Sequence, residues 1–243
     1  MTLPPEHVVW HDVECGRYDA DIVLWRELAT AARGTILDVG AGTGRVTLDL
    51  ARHGHDVVAL DIDAMLLDEL QRRAQAEGLH VRTVVADASD FSLQPRDFAL
   101  VMAPMQTVQL LGGPGRLGFL RCAREHVARG GHVAIALVDA LETFDDQDVL
   151  LPAPDEVMLD GTLYSSQPVA LRDHGETVTV ERIRQIVTAD GRRSASGDVL
   201  NLDRVAIEQV EAEALAAGLE VLPDRIIGET EEHVGTRVVM LGG

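Results

Sequence analysis

The feature that most constrains the fold is a glycine-rich segment at residues 38–45, with the sequence Asp-Val-Gly-Ala-Gly-Thr-Gly-Arg. A short apolar run at residues 35–39 predicts a buried strand before it, and a helical pattern follows it. Glycine lets the main chain turn sharply and lets a ligand approach the backbone closely. A glycine turn between a strand and a helix is typical of the binding edge of an open parallel sheet. We therefore expect an α/β protein with a binding site at this turn.

Strand-like and helix-like patterns alternate after the glycine-rich segment. Apolar runs predict further strands at residues 56–61, 80–85, 98–103 and 132–138. Apolar positions three and four residues apart predict helices at residues 16–32, 64–77 and 116–129. Asp63 is placed to cap the second of these helices. Strands that alternate with helices indicate a parallel sheet that is covered on both faces.

The alternation breaks near residue 139. A turn-rich stretch covers residues 142–161, and β-like segments follow at residues 162–172, 177–189 and 193–202. Asp190 and Gly191, between the last two segments, form a hairpin signal. The pattern predicts an antiparallel insertion, which serves as a cap over the site, an edge ribbon or a dimer contact. Asp203 is then placed to cap a helix, and strands are predicted at residues 220–227 and 236–241.

Acidic residues follow three successive predicted strands. Asp38 precedes the glycines, Asp61 lies 21 residues after Gly40, and Asp87 follows the third strand. The carboxyl ends of parallel strands meet at one edge of a sheet, so these side chains should face one crevice. A carboxylate at Asp61 can accept both hydroxyl protons of a ribose, and Asp87 can accept from the amino group of an adenine. Each acid alone suits a turn or a cap, but together they predict an adenosine-binding site.

The residues around the glycines distinguish between adenosine ligands. A dinucleotide-binding fingerprint reads G-x-G-x-x-G, with its third glycine where the helix meets the strand. Arg45 occupies that place here, and Gly44 lies one residue early. Asp38 at the entry to the turn suits an ammonium group better than a pyrophosphate. These features favour a ligand that combines adenosine with an amino-acid part.

Five segments resemble the motifs of class I S-adenosylmethionine-dependent methyltransferases of the small-molecule type. Residues 36–44 are similar to the family's first motif, and residues 61–63 to its ribose-binding acidic motif. Residues 86–88 resemble its adenine-contacting loop, residues 98–104 its fourth motif and residues 130–133 the turn into its fifth strand. The resemblance implies an α/β, Rossmann-like seven-stranded sheet in the order 3-2-1-4-5-7-6. Strand 7 is expected to be antiparallel, and the antiparallel β insertion follows strand 5.

The same resemblance implies S-adenosyl-L-methionine as cofactor and a set of residues that bind it. These residues are Tyr18, Asp38, Gly40, Ala41, Gly42, Gly44, Asp61, Ile62, Asp87, Ala88, Ala103 and Gln106. Tyr18 belongs to the segment before the first strand, which in this family often folds over the cofactor; helix packing is its alternative role. Gln106 is either a hydrogen-bonding partner in the site or a polar residue that starts a helix.

We expect one methyltransferase domain over residues 1–243. Its predicted parts are an N-terminal helical segment (1–34), a cofactor-binding core (35–141), the β insertion or cap (142–204) and a C-terminal helix with the last two strands (205–243). His233 lies between those strands and is a candidate general base, because imidazole titrates near neutral pH; a surface position is the alternative. Tyr164 near the start of the insertion is a second catalytic candidate.

The amino-acid composition limits which classes of partner this chain is expected to bind. The chain has 21 basic and 40 acidic residues, a formal net charge of −19, and all its basic residues are arginines. An acidic surface repels phosphate backbones, so we expect no nucleic-acid partner.

We predict no metal site, because Cys15 and Cys122 are too few for a cysteine-based zinc site. The first residues do not resemble a secretory signal and no long apolar run is present, so we expect a cytoplasmic protein without a membrane partner. A homodimer is left open.

The predicted function is methyl transfer from S-adenosylmethionine to a nitrogen or oxygen of a small-molecule metabolite, by direct in-line displacement. Nitrogen is slightly preferred, because the protein is acidic and the insertion is similar in placement to the β-ribbon cap of small-molecule N-methyltransferases. Two alternatives remain at this point. One is an NAD-dependent oxidoreductase of Rossmann type, and the other is a non-catalytic S-adenosylmethionine-binding protein.

Overall fold

The computed structural model describes residues 4–94, 96–138, 141–145, 151–230 and 234–243. The larger of its two sheets contains β1 (Ile36–Val39), β2 (Val57–Asp61), β3 (Arg82–Val85), β4 (Phe98–Ala103), β5 (Val127–Leu137), β10 (Glu220–Ile227) and β11 (Thr236–Gly242). The smaller sheet contains β6 (Asp155–Leu159), β7 (Thr162–Asp173), β8 (Thr177–Val187) and β9 (Arg193–Asp203). The α-helices are α1 (Glu6–Cys15), α2 (Ile22–Ala31), α3 (Arg45–Arg52), α4 (Ala64–Ala76), α5 (Gly112–His126) and α6 (Ile207–Ala216).

The larger sheet has the order β10-β11-β5-β4-β1-β2-β3. Strands β1 to β5 pair in parallel, whereas β11 is antiparallel to both β5 and β10. With β10 and β11 as the sixth and seventh strands of this sheet, the order is the predicted 3-2-1-4-5-7-6. The predicted Rossmann-like α/β fold is therefore confirmed, including the antiparallel seventh strand and the β insertion after strand 5.

The core lies on both faces of this sheet. Successive residues of β4 alternate between two apolar clusters: Val101 packs with residues of α5 and α6, and Met102 packs with residues of α2 and α3. All four residues of β1 are buried. Strands covered on both faces are mainly apolar. This is why β1, β4 and the second half of β5 could be recognised in the sequence, although β1 also contains the buried Asp38.

The N-terminal segment differs from the single predicted helix at residues 16–32. Two helices form instead, α1 before Gly16 and α2 from Ile22. The segment that connects the two helices contains Tyr18 and Asp21. Arg45 of α3 donates a hydrogen bond of 2.7 Å to the backbone carbonyl of Tyr18 and forms an ion pair with buried Asp21. These contacts hold the connecting segment outside any helix, and a local apolar pattern carries no information about a partner so distant in sequence.

The smaller sheet has four strands where three β-like segments were predicted. The additional strand, β6, lies in the stretch that was predicted to be turns. Asp160 and Gly161 join β6 to β7 with positive φ angles of 46° and 78°, as a tight hairpin turn requires. The Asp-Gly pair was therefore a hairpin signal that the sequence interpretation passed over.

Asp203 was wrongly predicted to cap α6. It ends β9 and accepts a hydrogen bond of 2.9 Å from Arg116, and the residue before α6 is Ala206. Arg116 is buried and also binds Glu213 of α6, so this ion-pair group joins α5, the base of the smaller sheet and α6. None of the helices in the described ranges is long and apolar enough to cross a membrane.

Candidate functional site

A cavity of about 700 Å³ lies beyond the carboxyl ends of β1, β2, β3 and β4, beneath α1 and the smaller sheet. It has a core half, formed by residues of the larger sheet and the loops that follow its strands. It also has a cap half, formed by α1 and strands β8 and β9. The predicted cofactor residues that line the cavity are Asp38, Gly40, Ala41, Asp61, Ile62, Asp87, Ala88 and Gln106.

The other four predicted residues lie outside the cavity lining. Gly42 is covered by His11, and Gly44 packs against Leu70. Ala103 is completely buried at the end of β4, where Pro104 and Met105 line the cavity instead. The ring of Tyr18 lies 5.2 Å from the guanidinium carbon of Arg45.

The glycine turn has a shape that only glycine accepts. Gly40, Gly42 and Gly44 have φ angles of +74°, +55° and +93°. A Cβ atom on Gly40 would lie 2.6 Å from the side chain of Thr107, and one on Gly42 would lie 2.4 Å from Nε2 of His11. Both the backbone conformation and the close packing therefore require glycine here.

The backbone amides of the turn are largely used within the protein. Gly40 and Ala41 donate to the carbonyl of Leu60 at 2.8 and 3.0 Å. Gly42 donates to Oδ2 of Asp61 at 2.8 Å, and Gly44 donates to the carbonyl of Ala41 at 2.9 Å. A turn that binds phosphate needs such N–H groups to point at the ligand. Four amides of this turn are thus unavailable to an anion.

Asp38 is a buried carboxylate at the base of the cavity. Its side chain is 1% exposed, and Oδ2 accepts a hydrogen bond of 2.6 Å from the hydroxyl of Thr47. Oδ1 has no hydrogen-bond partner among the described residues. Burial raises the pKa of Asp38 from 3.8 to about 6. An unpaired buried carboxylate oxygen is costly, and a cationic ligand group in the cavity would satisfy it.

Asp61 is held in a fixed orientation. Oδ1 accepts from the amide of Asp63 at 2.9 Å, and Oδ2 accepts from the amide of Gly42. Each carboxylate oxygen can accept a further hydrogen bond, so the group remains able to bind two hydroxyls. Asp63 caps α4 as predicted, because its side chain accepts from the amides of Met65 and Leu66.

Asp87 follows β3 and also lines the core half of the cavity. Its Oδ1 accepts from both the amide and the hydroxyl of Ser89, each at 2.7 Å. The hydroxyl and then the amide of Ser89 lower the pKa of Asp87. The side chain is therefore an ionised acceptor at the rim of the cavity.

The cap half contains a connected group of charges. Arg184 donates to both carboxylate oxygens of Glu14 at 2.7 and 2.8 Å and pairs with Oδ1 of Asp198 at 2.8 Å. The hydroxyl of Ser166 donates to Glu14 at 2.7 Å. Burial opposes ionisation of Glu14, but the hydrogen bonds from Arg184 and Ser166 outweigh it, so the pKa of Glu14 is lowered. Leu200 and Leu202 provide apolar surface beside these charges.

The sequence interpretation missed the residues that α1 contributes. His7, His11 and Glu14 line the cavity and lie four and three residues apart, which is the spacing of one helix face. That spacing was the available signal, but the helix was predicted to begin only at residue 16. Within the described residues no group of three His, Cys, Asp or Glu side chains is placed to hold a metal ion.

Of the two catalytic candidates, Tyr164 is within the described residues. The ring of Tyr164 packs edge-on against Trp10 with 5.4 Å between ring centroids, in an apolar cluster between α1 and the smaller sheet. It is not among the residues that line the cavity. His233 lies outside the described residues. Gln109, a further polar residue near the site, is buried and binds the backbone of Val138 and Asp203.

The sheet order, the glycine turn and the acidic strand ends define the class of S-adenosylmethionine-dependent methyltransferase folds. Residues 36–131 match the family described as "Methyltransferase domain". The match runs from the first residue of β1 into β5, and it contains the first four motif segments and the first two residues of the fifth. The predicted family resemblance is thereby confirmed.

Individual relatives cover different parts of the chain. An uncharacterised RNA methyltransferase of Parasynechococcus marenigrum (strain WH8102) is 32% identical over 126 residues, 46% of this chain and 27% of that protein. This chain therefore spans about a quarter of that relative's length. An amino pentose methyltransferase from Micromonospora echinaspora has a similar structure, with a TM-score of 0.72, 19% identity and coverage of 99% of this chain and 98% of that one. A sugar N-methyltransferase from Streptoalloteichus sp. ATCC 53650 gives a TM-score of 0.72 at 20% identity, covering 98% and 94%. At these identities the structures establish the shared fold.

Proposed function

We propose that this protein transfers a methyl group from S-adenosyl-L-methionine to a nitrogen of a small-molecule amine, by direct in-line displacement. The observation that carries the proposal is one cavity in which the unpaired Oδ1 of Asp38 lies in the core half and the charged group around Asp198 lies in the cap half. The core half suits the methyl donor, and the cap half offers space for an acceptor.

The residues of the core half fit the chemical groups of this cofactor. Asp38 would bind the ammonium of the amino-acid part, and Asp61 would bind the two ribose hydroxyls. Asp87 would accept from the adenine amino group. Ile62 lines the cavity with a side chain that is 69% exposed, so it offers an apolar surface to a purine ring. When bound, the cofactor supplies a methyl group that is already activated on a sulfonium.

The same geometry argues against the two alternative functions. A dinucleotide needs N–H donors for its pyrophosphate, and four amides of the turn are used within the protein. A protein that only binds the cofactor does not need a second half of the cavity for an acceptor. Here the cavity continues into the cap half, which shields a reaction from water.

The charges of the cap half support an amine acceptor. Methyl transfer to a neutral amine leaves a positive charge on the acceptor nitrogen, and a fixed carboxylate nearby stabilises that charge. Asp198 lines the cavity and pairs with Arg184 through Oδ1, and its carboxylate can accept a further hydrogen bond from a ligand. A hydroxyl acceptor would instead need a base to remove its proton. The existence of a sugar N-methyltransferase with the same fold agrees with a nitrogen acceptor.

Binding and turnover test the proposal in two stages. Calorimetry should show saturable binding of S-adenosylmethionine and S-adenosylhomocysteine and none of NAD. Mass spectrometry should then find CH₂ added to members of an amine panel, including amino sugars, and not to their hydroxyl analogues. Binding of NAD alone would contradict the proposed cofactor, and methylation of the hydroxyl analogues alone would contradict the proposed acceptor.

Asp198→Asn tests the acceptor assignment. Removing the carboxylate should lower kcat/KM for the amine about tenfold or more, because a hydrogen bond to a charged group contributes about 1.5–3 kcal/mol. The dissociation constant of S-adenosylmethionine should stay unchanged. Asp190→Asn, in the exposed hairpin between β8 and β9, is the matched control. Equal kinetics of the two variants would remove Asp198 from the acceptor site.

A further inference from the structure

His11 lies on α1 at the boundary between the core half and the cap half of the cavity. Its Nε2 and Cε1 atoms lie 2.4 and 2.5 Å from the position that a Cβ on Gly42 would take, so the ring lies directly over the glycine turn. Three residues further along α1, Glu14 binds Arg184 of the smaller sheet. His11 also lines the cavity itself.

The amino-acid part of the proposed cofactor carries a carboxylate beside its ammonium. If Asp38 binds the ammonium, the carboxylate must find a donor close to the glycine turn. The amides of Gly40, Ala41, Gly42 and Gly44 already donate within the protein. The ring of His11 lies over this turn and lines the cavity, so its Nε2 is placed to supply a donor.

The surroundings of His11 determine which of its nitrogens carries a proton. Nδ1 lies 3.5 Å from the hydroxyl oxygen of Thr43, and that hydroxyl donates to Asp12 at 2.7 Å. Because the hydroxyl proton is directed to Asp12, its oxygen faces Nδ1 as an acceptor. This arrangement favours the tautomer with the proton on Nδ1, so Nε2 can donate to a ligand only after it gains a proton.

Charged groups on three elements face the ring. They are Asp12 and Glu14 of α1, Asp61 at the end of β2 and Arg73 of α4. Burial lowers the pKa of His11 and, with Arg73, outweighs the three carboxylates, which raise it. The ring is thus neutral in the empty cavity at neutral pH, and a carboxylate placed against it would favour the charged form.

We propose that His11 binds the carboxylate of the cofactor's amino-acid part through Nε2 and takes up a proton as it does so. The inference rests on the proposed function, because it concerns the same cofactor. Asp38 would act in the opposite sense, since pairing with the ammonium releases any proton that its carboxyl holds. Net proton uptake on binding is therefore a specific sign of His11.

Calorimetry in buffers of different ionisation enthalpy measures this uptake. Near neutral pH, the wild-type protein should take up a substantial fraction of a proton per S-adenosylhomocysteine bound. It should take up none with methylthioadenosine, which has the nucleoside thioether but lacks the amino-acid part. A wild-type protein that binds S-adenosylhomocysteine without proton uptake overturns the inference and leaves the proposed function intact. A protein that binds neither ligand contradicts the proposed function itself.

His11→Gln separates hydrogen bonding from protonation. Glutamine keeps an N–H donor but does not titrate, so proton uptake should disappear and affinity for S-adenosylhomocysteine should fall roughly tenfold. Affinity for methylthioadenosine should remain at the wild-type value. His80→Asn, at an exposed position after α4, is the control and should behave as wild type. If His11→Gln weakens both ligands equally, the ring only packs on the turn, and the inference fails.

Discussion

At the scale of single residues, Asp38 has opposite effects on folding and on binding. Its raised folded-state pKa means that burial in the empty protein favours the protonated form more than water does. The carboxyl therefore contributes stability below its unfolded pKa of 3.8, and this contribution is lost as the pH rises through about 6. At neutral pH the protein holds a buried charge that only a cationic ligand relieves.

Asp38→Asn should separate these two effects. At neutral pH the free energy of unfolding of the empty protein should rise by about 1–3 kcal/mol, because each pKa unit corresponds to about 1.36 kcal/mol and the neutral amide removes the buried charge. Below pH 4 the difference should vanish. Wild-type affinity for S-adenosylmethionine should fall as the pH drops through about 6, and the variant should bind weakly at every pH. Denaturant unfolding and calorimetry over this pH range measure both quantities; a destabilised variant would contradict the argument.

Gly42→Ala tests the packing of the glycine turn. The substitution places a methyl group against the ring of His11 and forces alanine into a φ of +55°. Stability should fall by about 1 kcal/mol or more, and the dissociation constant of S-adenosylmethionine should rise. Gly54→Ala is the matched control, because Gly54 has a φ of +82° and no atom within 4 Å of the added Cβ. The control should lose stability alone; a loss of affinity in both variants would show that the contact with His11 is unimportant.

At the scale of elements, strands β1 to β5 could be predicted and α1 could not. Each of those strands contains a short run of apolar residues, and β1 and β4 are buried over nearly their whole length. The place of α1 depends on partners far along the chain, since Asp12 pairs with Arg73 and Glu14 with Arg184. The candidate site shows the same division. Asp38, Gly40 and Asp61, which line the cavity, were predicted from local sequence pattern, whereas the lining residues from α1 and the smaller sheet were missed.

Trp10→Ala tests how firmly α1 packs on the smaller sheet. Trp10 is 4% exposed, contacts Tyr164 and lies 5.5 Å from the guanidinium carbon of Arg184. Its removal should lower the free energy of unfolding by about 3–5 kcal/mol, as is usual for a buried tryptophan. Val23→Ala, on α2 with a side chain 62% exposed, should change it by less than about 0.5 kcal/mol. Thermal or denaturant unfolding compares the two; similar small changes would place α1 away from the sheet in solution.

At the scale of the whole molecule, the formal net charge of −19 leads us to expect no nucleic-acid partner. Binding to a phosphate backbone draws on clustered Lys and Arg, and its affinity falls steeply with salt. Here many arginines form ion pairs, as Arg26, Arg52 and Arg116 do with Asp49, Glu77 and Glu213.

A labelled RNA oligonucleotide should therefore show no saturable anisotropy change with this protein at physiological salt. Lowering the salt should not produce tight binding, because the net charge repels the polyanion. A basic RNA-binding protein run in parallel shows that the assay responds. Tight, salt-sensitive binding would instead connect the chain with the RNA methyltransferase that it resembles over part of its length.

The hydrogen bonds inside the glycine turn have one more consequence. If the amides of a turn have no hydrogen-bond partner in the free protein, the turn must become ordered when the ligand binds. The backbone entropy lost in this step weakens binding. In this protein the carbonyls of Leu60 and Ala41 and the carboxylate of Asp61 already hold those amides. The turn is preorganised, so the loss of backbone entropy there belongs to folding rather than to complex formation.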